Sequence, residues 1–331
     1  MGRAASSTPA SITVTIPARL HLGFLDLNGG LGRRFGSIGL AVTGLRTRIA
    51  FRRAAKNYVT GQERERVIHH MDKMMRHLAI SDSHAANVLE VVPPHAGLGS
   101  GTQLALAVAA GVRRLHGLPL DIAGDALHLG RGARSGVGIG LFHHGGLVVD
   151  GGCAKAEAPA PIISRFPFPD RWRIILLLDP ARCGIHGAEE IDAFRKLPPF
   201  SENDAARLCR LVVMKMLPAV AEEDIVSFGA ALKEIQDSLG GYFAAAQGGS
   251  PFTSPDVAAV LAALHHEGAY GIGQSSWGPT GFAFSAAPAE ANRLAGIARR
   301  HPQGRALDIR VCAGFNHGAE MTVESVGANV E

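Results

Sequence analysis

The sequence predicts an α+β protein of two domains, residues 11–152 and 170–331, with the break between Cys153 and Asp170. Three observations carry this expectation. A chain of 331 residues with 47% hydrophobic content exceeds what one compact core usually holds. Asn87 to His116 reads as strand, glycine loop and helix in succession. Cys153 to Asp170 is rich in alanine and proline, and separates that unit from an apolar strand, Trp172 to Leu178, and a series of helices.

In chain order, Ser11 to Leu27 alternates apolar and polar residues as a half-buried strand does, with Arg19, His21 and Asp26 at its far end. A flexible, positively charged turn, Gly29 to Gly36, leads to two further strands, Ser37 to Val42 and Thr47 to Arg53. Glu63 to Leu78 has the pattern of an amphipathic helix whose His69, His70, Lys73 and Arg76 suit a solvated face. Asn87 to Val92 is β-branched and apolar, and Pro93-Pro94 stops it. From Thr102, Leu104, Leu106, Ala107, Val108, Val112 and Leu115 recur at helical spacing. Asp121 caps a short helix through Gly130. Arg131 to Gly152 then carries Gly136, Gly138 and Gly140 and two apolar runs about the turn His144-Gly145-Gly146.

In the second half, the strand Trp172 to Leu178 ends in a loop, Asp179 to Glu190, whose Gly184, His186 and Gly187 suggest a site-facing position. Helices are expected at about Glu202 to Leu217, Glu222 to Leu239 and Asp256 to Glu267. Gly271 to Phe284 is a third glycine-rich loop before a short strand, and a helix (Pro288 to Arg300) and a strand (Ala306 to Ala313) complete the chain.

Charge and composition narrow the function. A net charge of +4 with fifteen histidines suits an anionic small-molecule substrate. The pairs Arg52-Arg53, Arg113-Arg114 and Arg299-Arg300 are too short for a nucleic-acid tract, so no nucleic-acid partner is expected. Cys153, Cys183, Cys209 and Cys312 lie far apart without a CxxC pair, as reduced, buried thiols of a cytoplasmic protein would. No apolar run reaches membrane-spanning length, no signal peptide is expected, and the myristoylation pattern at Met1 to Ser6 reads as a chance match ahead of a floppy tail.

The chemistry concentrates in the glycine loop. Gly97, Gly99 and Gly101 clear Cβ atoms from backbone N–H groups at a helix N-terminus, where orphan donors and the positive dipole end attract a phosphate. Ser100 or Thr102 can cap the helix or turn a hydroxyl to a phosphate-bound metal. It is not a P-loop, since no lysine follows Gly101, nor a dinucleotide fingerprint, since Thr102 takes the third glycine's place. The guanidinium forks of Arg131 and Arg134 fit phosphate or carboxylate. His143 and His144, adjacent in a strand, would point to opposite faces and could not share one ion.

The stretch PPHAGLGSGTQLALA resembles the PxxxGLGSS loop of the GHMP superfamily (galactose, homoserine, mevalonate and phosphomevalonate kinases). The closer resemblance within it is to the family of beta-ribofuranosylaminobenzene 5'-phosphate synthases. Arg19, His21, Gly23, Asp26 and Leu27 match its R-x-H-x-G-x-x-D-L motif, and Arg134 to Gly152 match R-S-G-x-G-x-x-x-F-x-x-G-G-x-x-V-D-G-G. Ser275, Ser276, Gly278 and Pro279 match its late S-S-x-G-P loop. The resemblance implies a GHMP-kinase-like fold: a ribosomal-protein-S5-like N-terminal domain and a ferredoxin-like C-terminal α/β sandwich. It also implies joining of 5-phosphoribosyl 1-pyrophosphate to 4-aminobenzoate or 4-hydroxybenzoate, with loss of pyrophosphate and carbon dioxide, on the path to methanopterin-type cofactors.

On that resemblance the phosphate cradle comprises Gly97, Leu98, Gly99, Ser100, Gly101, Thr102, Gln103 and Arg131, closed by Gly273, Ser275, Ser276 and Gly278 of the late loop. Mg²⁺ is the expected cofactor, with Ser100 as its side-chain ligand. Asp26 would stabilise the oxocarbenium-like sugar carbon, His21 would act as base toward the para donor, and Arg19 or Arg134 would hold the ring acid's carboxylate. The expected partners are these two small molecules, with a homodimer allowed and no membrane. The alternative is an ATP-dependent small-molecule kinase of the superfamily. The positions where such kinases place an aspartate, Val137 to Phe142, are glycine and apolar here.

Overall fold

Strand β1 (Ser11–Asp26) runs antiparallel to β2 (Phe35–Arg53) in a computed structural model that describes residues 9–154 and 158–324. The myristoylation-like start of the chain lies outside the described residues. β2 replaces the two strands expected at Ser37–Val42 and Thr47–Arg53. Val42 pairs with Ala18 and Arg46 with Pro17, so the residues between them bulge without breaking the pairing. Gly44, at φ 82°, supplies the left-handed residue the bulge requires.

The first sheet grows on β2. β3 (Tyr58–Gly61) leads through α1 (Arg64–His77) to β4 (His84–Glu90), and these two strands are parallel neighbours. β4 pairs with the distal half of β2, while β5 (Leu147–Asp150) pairs with Ile38–Leu40. β6 (Ile162–Phe166) rises within the Ala/Pro-rich stretch and adds to β5. β11 (Glu320–Glu324) returns from the far end of the chain to pair with β1. α2 (Ser100–Leu115) is buried on all sides from Leu104 to Val112. Its small residues permit this: a Cβ at Gly111 would fall inside the Phe51 ring of β2. α3 (Ile122–His128), capped by Asp121 as expected, and α4 (Val137–His144) complete this layer.

α4 corrects the reading of His143 and His144. The run Val137 to Phe142 is a buried helix rather than a strand, and a short apolar run does not distinguish the two. The two rings therefore sit in one helical turn, centroids 5.8 Å apart, and the opposite-face argument does not apply to them.

The second sheet has the order β10 (Asp308–Cys312), β7 (Arg173–Leu178), β9 (Gly281–Ser285) and β8 (Tyr270–Gln274), antiparallel throughout. β7 reads as unbroken apolar sequence because both faces are covered. Ile174, Leu176 and Leu178 join the large core, whereas Ile175 and Leu177 pack with α9 (Pro255–His266) and α10 (Pro288–Arg300). α8 (Ile225–Phe243) ties the sheets together, since Phe228, Leu232 and Ile235 share one cluster with Leu20 and Leu22 of β1 and Phe282 and Phe284 of β9.

Two helical expectations change. The helix expected over Glu202–Leu217 is α6 (Glu202–Leu211), a π-helical turn (Val212–Met216) and α7 (Leu217–Ala221). The wider turn precedes Pro218, which has no N–H to return to the preceding turn. α5 (Gly187–Lys196) begins within the loop read at Asp179–Glu190; it buries no side chain fully, and Phe194 packs it against the large core. Among the described residues no helix is long and apolar enough to cross a membrane, and all four cysteines are free thiols, of which Cys312 is buried as expected, Cys153 and Cys209 are partly buried and Cys183 is exposed.

Candidate active site

The loop after β4 delivers the N-terminus of α2 to a cleft between the two sheets' loops. Gly97 and Gly99 take φ 76° and 75°, which L side chains rarely adopt. Gly99 itself is the N-cap, with no side-chain cap, so neither Ser100 nor Thr102 performs the capping expected of it. The N–H groups of Thr102 and Gln103 both turn back to the Gly99 carbonyl at 3.1 Å. This leaves the Ser100 and Gly101 amides at the open, positive end of the helix.

Guanidinium groups surround that end. Arg19 crosses Gly99 so closely that a Cβ there would fall inside the arginine side chain. Its backbone N–H donates to Leu98 O at 3.2 Å, pinning the loop to β1. At Gly101 a Cβ would lie 3.0 Å from Arg66 Nη2 and 3.3 Å from Arg131 Nη1. The Nε atoms of Arg19 and Arg131 are both buried with no hydrogen-bond partner. Burial lowers the proton affinity of Arg19, while Glu190 and Asp150 act to raise it. Buried cations short of hydrogen bonds are costly, and an anion arriving on the amides would relieve them.

The turn between β8 and β9 closes on the same loop. Ser275 Oγ donates to Gly97 O at 2.8 Å and accepts from His21 N at 3.0 Å. Ser276 N donates to His21 O at 3.4 Å, and Gly184 N donates to His95 O at 2.9 Å. Gly97 is glycine for this contact, because a Cβ would meet the Ser275 carbonyl. Gly278, at φ 69°, turns its carbonyl toward both Gly97 and Gly184.

His21 sits where the two loops meet, 4% exposed, its ring centroid 4.6 Å from that of Phe24. Nε2 is buried without a partner. Burial, and then the neighbouring Arg19 charge, push its pKa down to about 3, so the ring is neutral near pH 7. Beside it opens a narrow pocket of about 40 Å³ lined by His21, Phe24, Gln236, Phe243, Ser276 and Trp277, among others. Phe243 and Trp277 lie 4.7 Å apart, centroid to centroid, and the Gln236 amide is held by Leu22 O and Gln274 N, both at 2.8 Å. Its lining combines the rings of Phe24, Phe243 and Trp277 with the amides of Gln236, Gln247 and Gln274.

Glu190 of α5 is the residue that sequence reasoning passed over. Its carboxylate accepts from Arg134 Nη2 at 2.6 Å and from Trp277 Nε1 at 3.0 Å, joining both domains at the pocket's edge. Arg134 also lies over the Phe194 ring, 5.6 Å from its centroid. The only signal was its place at the end of a glycine-containing loop after a buried strand. Asp150 was visible in the VDGG match, and it proves to be an organising group. It accepts from Ser37 N, Gly136 N, Gly152 N and Ser135 Oγ, and burial raises its pKa.

Several expected site residues lie elsewhere. Asp26 Oδ1 accepts from Asn28 N (2.7 Å) and Gly29 N (2.9 Å) in the turn after β1. It stands roughly 20 Å along the strand from Arg19, at about 3.3 Å per residue. Gln103 points away from the helix mouth and donates to Pro17 O. Leu98 contributes its backbone, its side chain being 1% exposed in the core. Gly273 belongs to β8 and makes room for Gln236, not for a ligand. His70, assigned to a solvated face, is 5% exposed on the inner side of α1 with Val67, Met71 and Met74.

Known proteins share this construction. Residues 62–146 match the family description "GHMP kinases N terminal domain" and residues 216–303 "GHMP kinases C terminal". Homoserine kinase from Cytophaga hutchinsonii superposes with a TM-score of 0.66 at 17% identity, over 97% of this chain and 100% of that one. Mevalonate diphosphate decarboxylase from Staphylococcus aureus gives 0.64 at 14% identity, over 95% and 98%. At those identities the likeness speaks for the fold. A beta-ribofuranosylphenol 5'-phosphate synthase from Archaeoglobus fulgidus is 38% identical over 67% of this chain and 74% of its own. The synthase of that name from Methanothermobacter thermautotrophicus is 31% identical over 94% of this chain and 98% of its own. The chain belongs to the beta-ribofuranosylphenol 5'-phosphate synthase family.

The synthase-family chain is therefore an enzyme on a GHMP fold, and its own residues can be tested for the expected magnesium. Among the described residues no three His, Cys, Asp or Glu side chains group as metal ligands. The two carboxylates acting on Arg19 are engaged, Asp150 by four donors and Glu190 by two. Magnesium usually binds through one or two carboxylates besides substrate phosphates. With these carboxylates already held, a magnesium ion here would depend on the substrate's phosphates and the Ser100 hydroxyl, beside the charge of Arg19, Arg66 and Arg131.

Proposed function

We propose that the cleft transfers a phosphoribosyl group from 5-phosphoribosyl 1-pyrophosphate to 4-hydroxybenzoate or 4-aminobenzoate, releasing pyrophosphate and carbon dioxide. The observation that carries this reading is His21, which joins an anion cradle to an aromatic pocket: its backbone holds Ser275 against Gly97, and its ring lines the pocket with Phe24 and Trp277. A cradle alone would suit any phosphate chemistry; an adjoining pocket of rings suits a planar acceptor.

On this reading the donor's pyrophosphate lies on the Ser100 and Gly101 amides against Arg19. As the C1–oxygen bond breaks, the electron pair leaves with pyrophosphate and the growing charge meets donors already in place. The ring carbon bearing the carboxylate attacks C1. Neutral His21 takes the proton of the para hydroxyl (or amine) through Nε2 as electrons move into the ring, and entering anions raise its proton affinity. Loss of carbon dioxide returns an electron pair to the ring, and the proton goes back to the para group. With Arg19 set against the loop at Gly99, Arg134 is the candidate to hold the carboxylate until it leaves. Glu190, held by Arg134 and Trp277 at the pocket's edge, takes over the carboxylate role given to Asp26. Magnesium would enter as a companion of the donor's pyrophosphate, with the Ser100 hydroxyl as the side chain on offer; no step here depends on it.

The apolar, glycine-containing α4 offers no carboxylate where a kinase of this fold would need one. Incubation with phosphoribosyl pyrophosphate and carboxyl-labelled hydroxybenzoate or aminobenzoate should yield pyrophosphate and labelled carbon dioxide in equal amounts, with no ATP consumed. ADP formation with an alcohol acceptor, and neither of those products, would overturn the reading.

A further inference from the structure

Arg19 meets the loop at Gly99; two residues further, at Gly101, a different group of side chains gathers. Arg66 and His70 are four residues apart on α1 and so share a face, which packs toward α2. Arg66 Nη2 and Arg131 Nη1 approach Gly101 from that side, at 3.0 and 3.3 Å from where a Cβ would stand. Glu63 holds Arg66 Nη1 at 2.6 Å, which sets the guanidinium plane and leaves Nη2 for another partner. Arg131 Nε has none.

His70 is the independent sign of a ligand here. It is 5% exposed, and its buried Nδ1 makes no hydrogen bond. Burial lowers its pKa to about 3, and among the charges Arg131 contributes most, with His69, Arg66 and Lys73 acting in the same sense. A neutral imidazole among cations can offer an N–H to an oxygen and adds no charge of its own. Two guanidinium groups and one such N–H form a donor set for a tetrahedral anion with several terminal oxygens.

We propose that Arg66, His70 and Arg131 form a second anion subsite beside the first turn of α2, which holds the phosphomonoester of the sugar donor while Arg19 and the loop amides hold its pyrophosphate. The inference rests on the proposed reaction for the identity of the donor. It explains why one short helix mouth is flanked by two separate cation groups, one at Gly99 and one at Gly101. A donor with anions at both ends of a ribose would span them, and the sugar between would be fixed for attack at C1.

Ribose 5-phosphate carries the phosphomonoester alone and inorganic pyrophosphate the leaving group alone, so calorimetric titration of the intact protein with each separates the two sites. Arg66→Met should weaken ribose 5-phosphate binding about tenfold or more, as loss of a charged hydrogen bond does, and leave pyrophosphate binding nearly unchanged. Arg66→Lys should recover part of the loss. Arg19→Met should show the reverse preference. His70→Asn should resemble Arg66→Met; if that buried substitution unfolds the chain, the variants of Arg66, whose side chain is one-third exposed, decide alone. Unchanged ribose 5-phosphate binding in Arg66→Met, or an equal loss for pyrophosphate, would overturn the subsite. Neither titration needs turnover. If carbon dioxide release fails while this pattern holds, the subsite stands and the reaction is wrong; the opposite result removes the subsite alone.

Discussion

The side chain of Arg19 occupies the space that any Cβ at Gly99 would need, so the helix cap and a cation of the cleft with a buried, unpartnered Nε share one volume. Gly99→Val should therefore displace Arg19 as well as strain a residue held at φ 75°. Loss of preorganised charge of this kind typically costs about 3 kcal/mol, or roughly a hundredfold in rate. The check is kcat/KM for the donor beside a thermal melt. Normal turnover in a folded variant would remove the loop from the mechanism.

Ser275 holds β1 and the glycine loop through one hydroxyl. Ser275→Ala leaves the buried His21 N–H without its acceptor, a loss on the order of 1–3 kcal/mol. A lower melting temperature and a raised KM for the donor are expected together. A variant with a wild-type KM would show that the late loop does not seat the cradle.

His21 and Arg19 should separate in kinetics. His21→Asn keeps a polar group of similar size but cannot take a proton, and kcat should fall by roughly 10²–10⁴ with donor affinity retained. Arg19→Met should instead raise the donor's KM, because the side chain lies against Gly99. Donor affinity lost in His21→Asn, with kcat intact, would reverse these roles.

Stability should depend on pH through His21 and His70, both held down to about 3. The unfolded chain protonates these rings as pH drops below about 6.5, whereas the folded chain resists until about pH 3. Their contribution is thus complete above pH 6.5 and is lost progressively as pH falls toward 3. At about 1.4 kcal/mol per pKa unit, each ring can account for several kcal/mol across that window. Urea midpoints measured from pH 7 down to 5 should fall for the wild type and fall less steeply for His21→Asn. Equal slopes would show that His21 is not buried neutral.

Much was legible along the chain because it is written in local terms. Alternation marks β1, helical spacing marks α2, and three glycines in a short loop state that backbone must come close to something. The matched motifs placed Arg19, His21, Ser275 and Ser276, and guanidinium chemistry singled out Arg131, before any contact was known, and the structure gathers them at one cleft. Only the tertiary structure could decide which face each polar residue takes and who its partner is. His70 reads as a surface histidine among His69, Lys73 and Arg76, and one helical turn's rotation buries it beside Arg131. Glu190 has no local signature, since its partners Arg134 and Trp277 lie 56 and 87 residues away. Asp26 carries the motif's acid, yet its own turn claims its carboxylate. Periodicity reports the environment along one element; a charge is given its role by groups that only folding brings within a few ångströms.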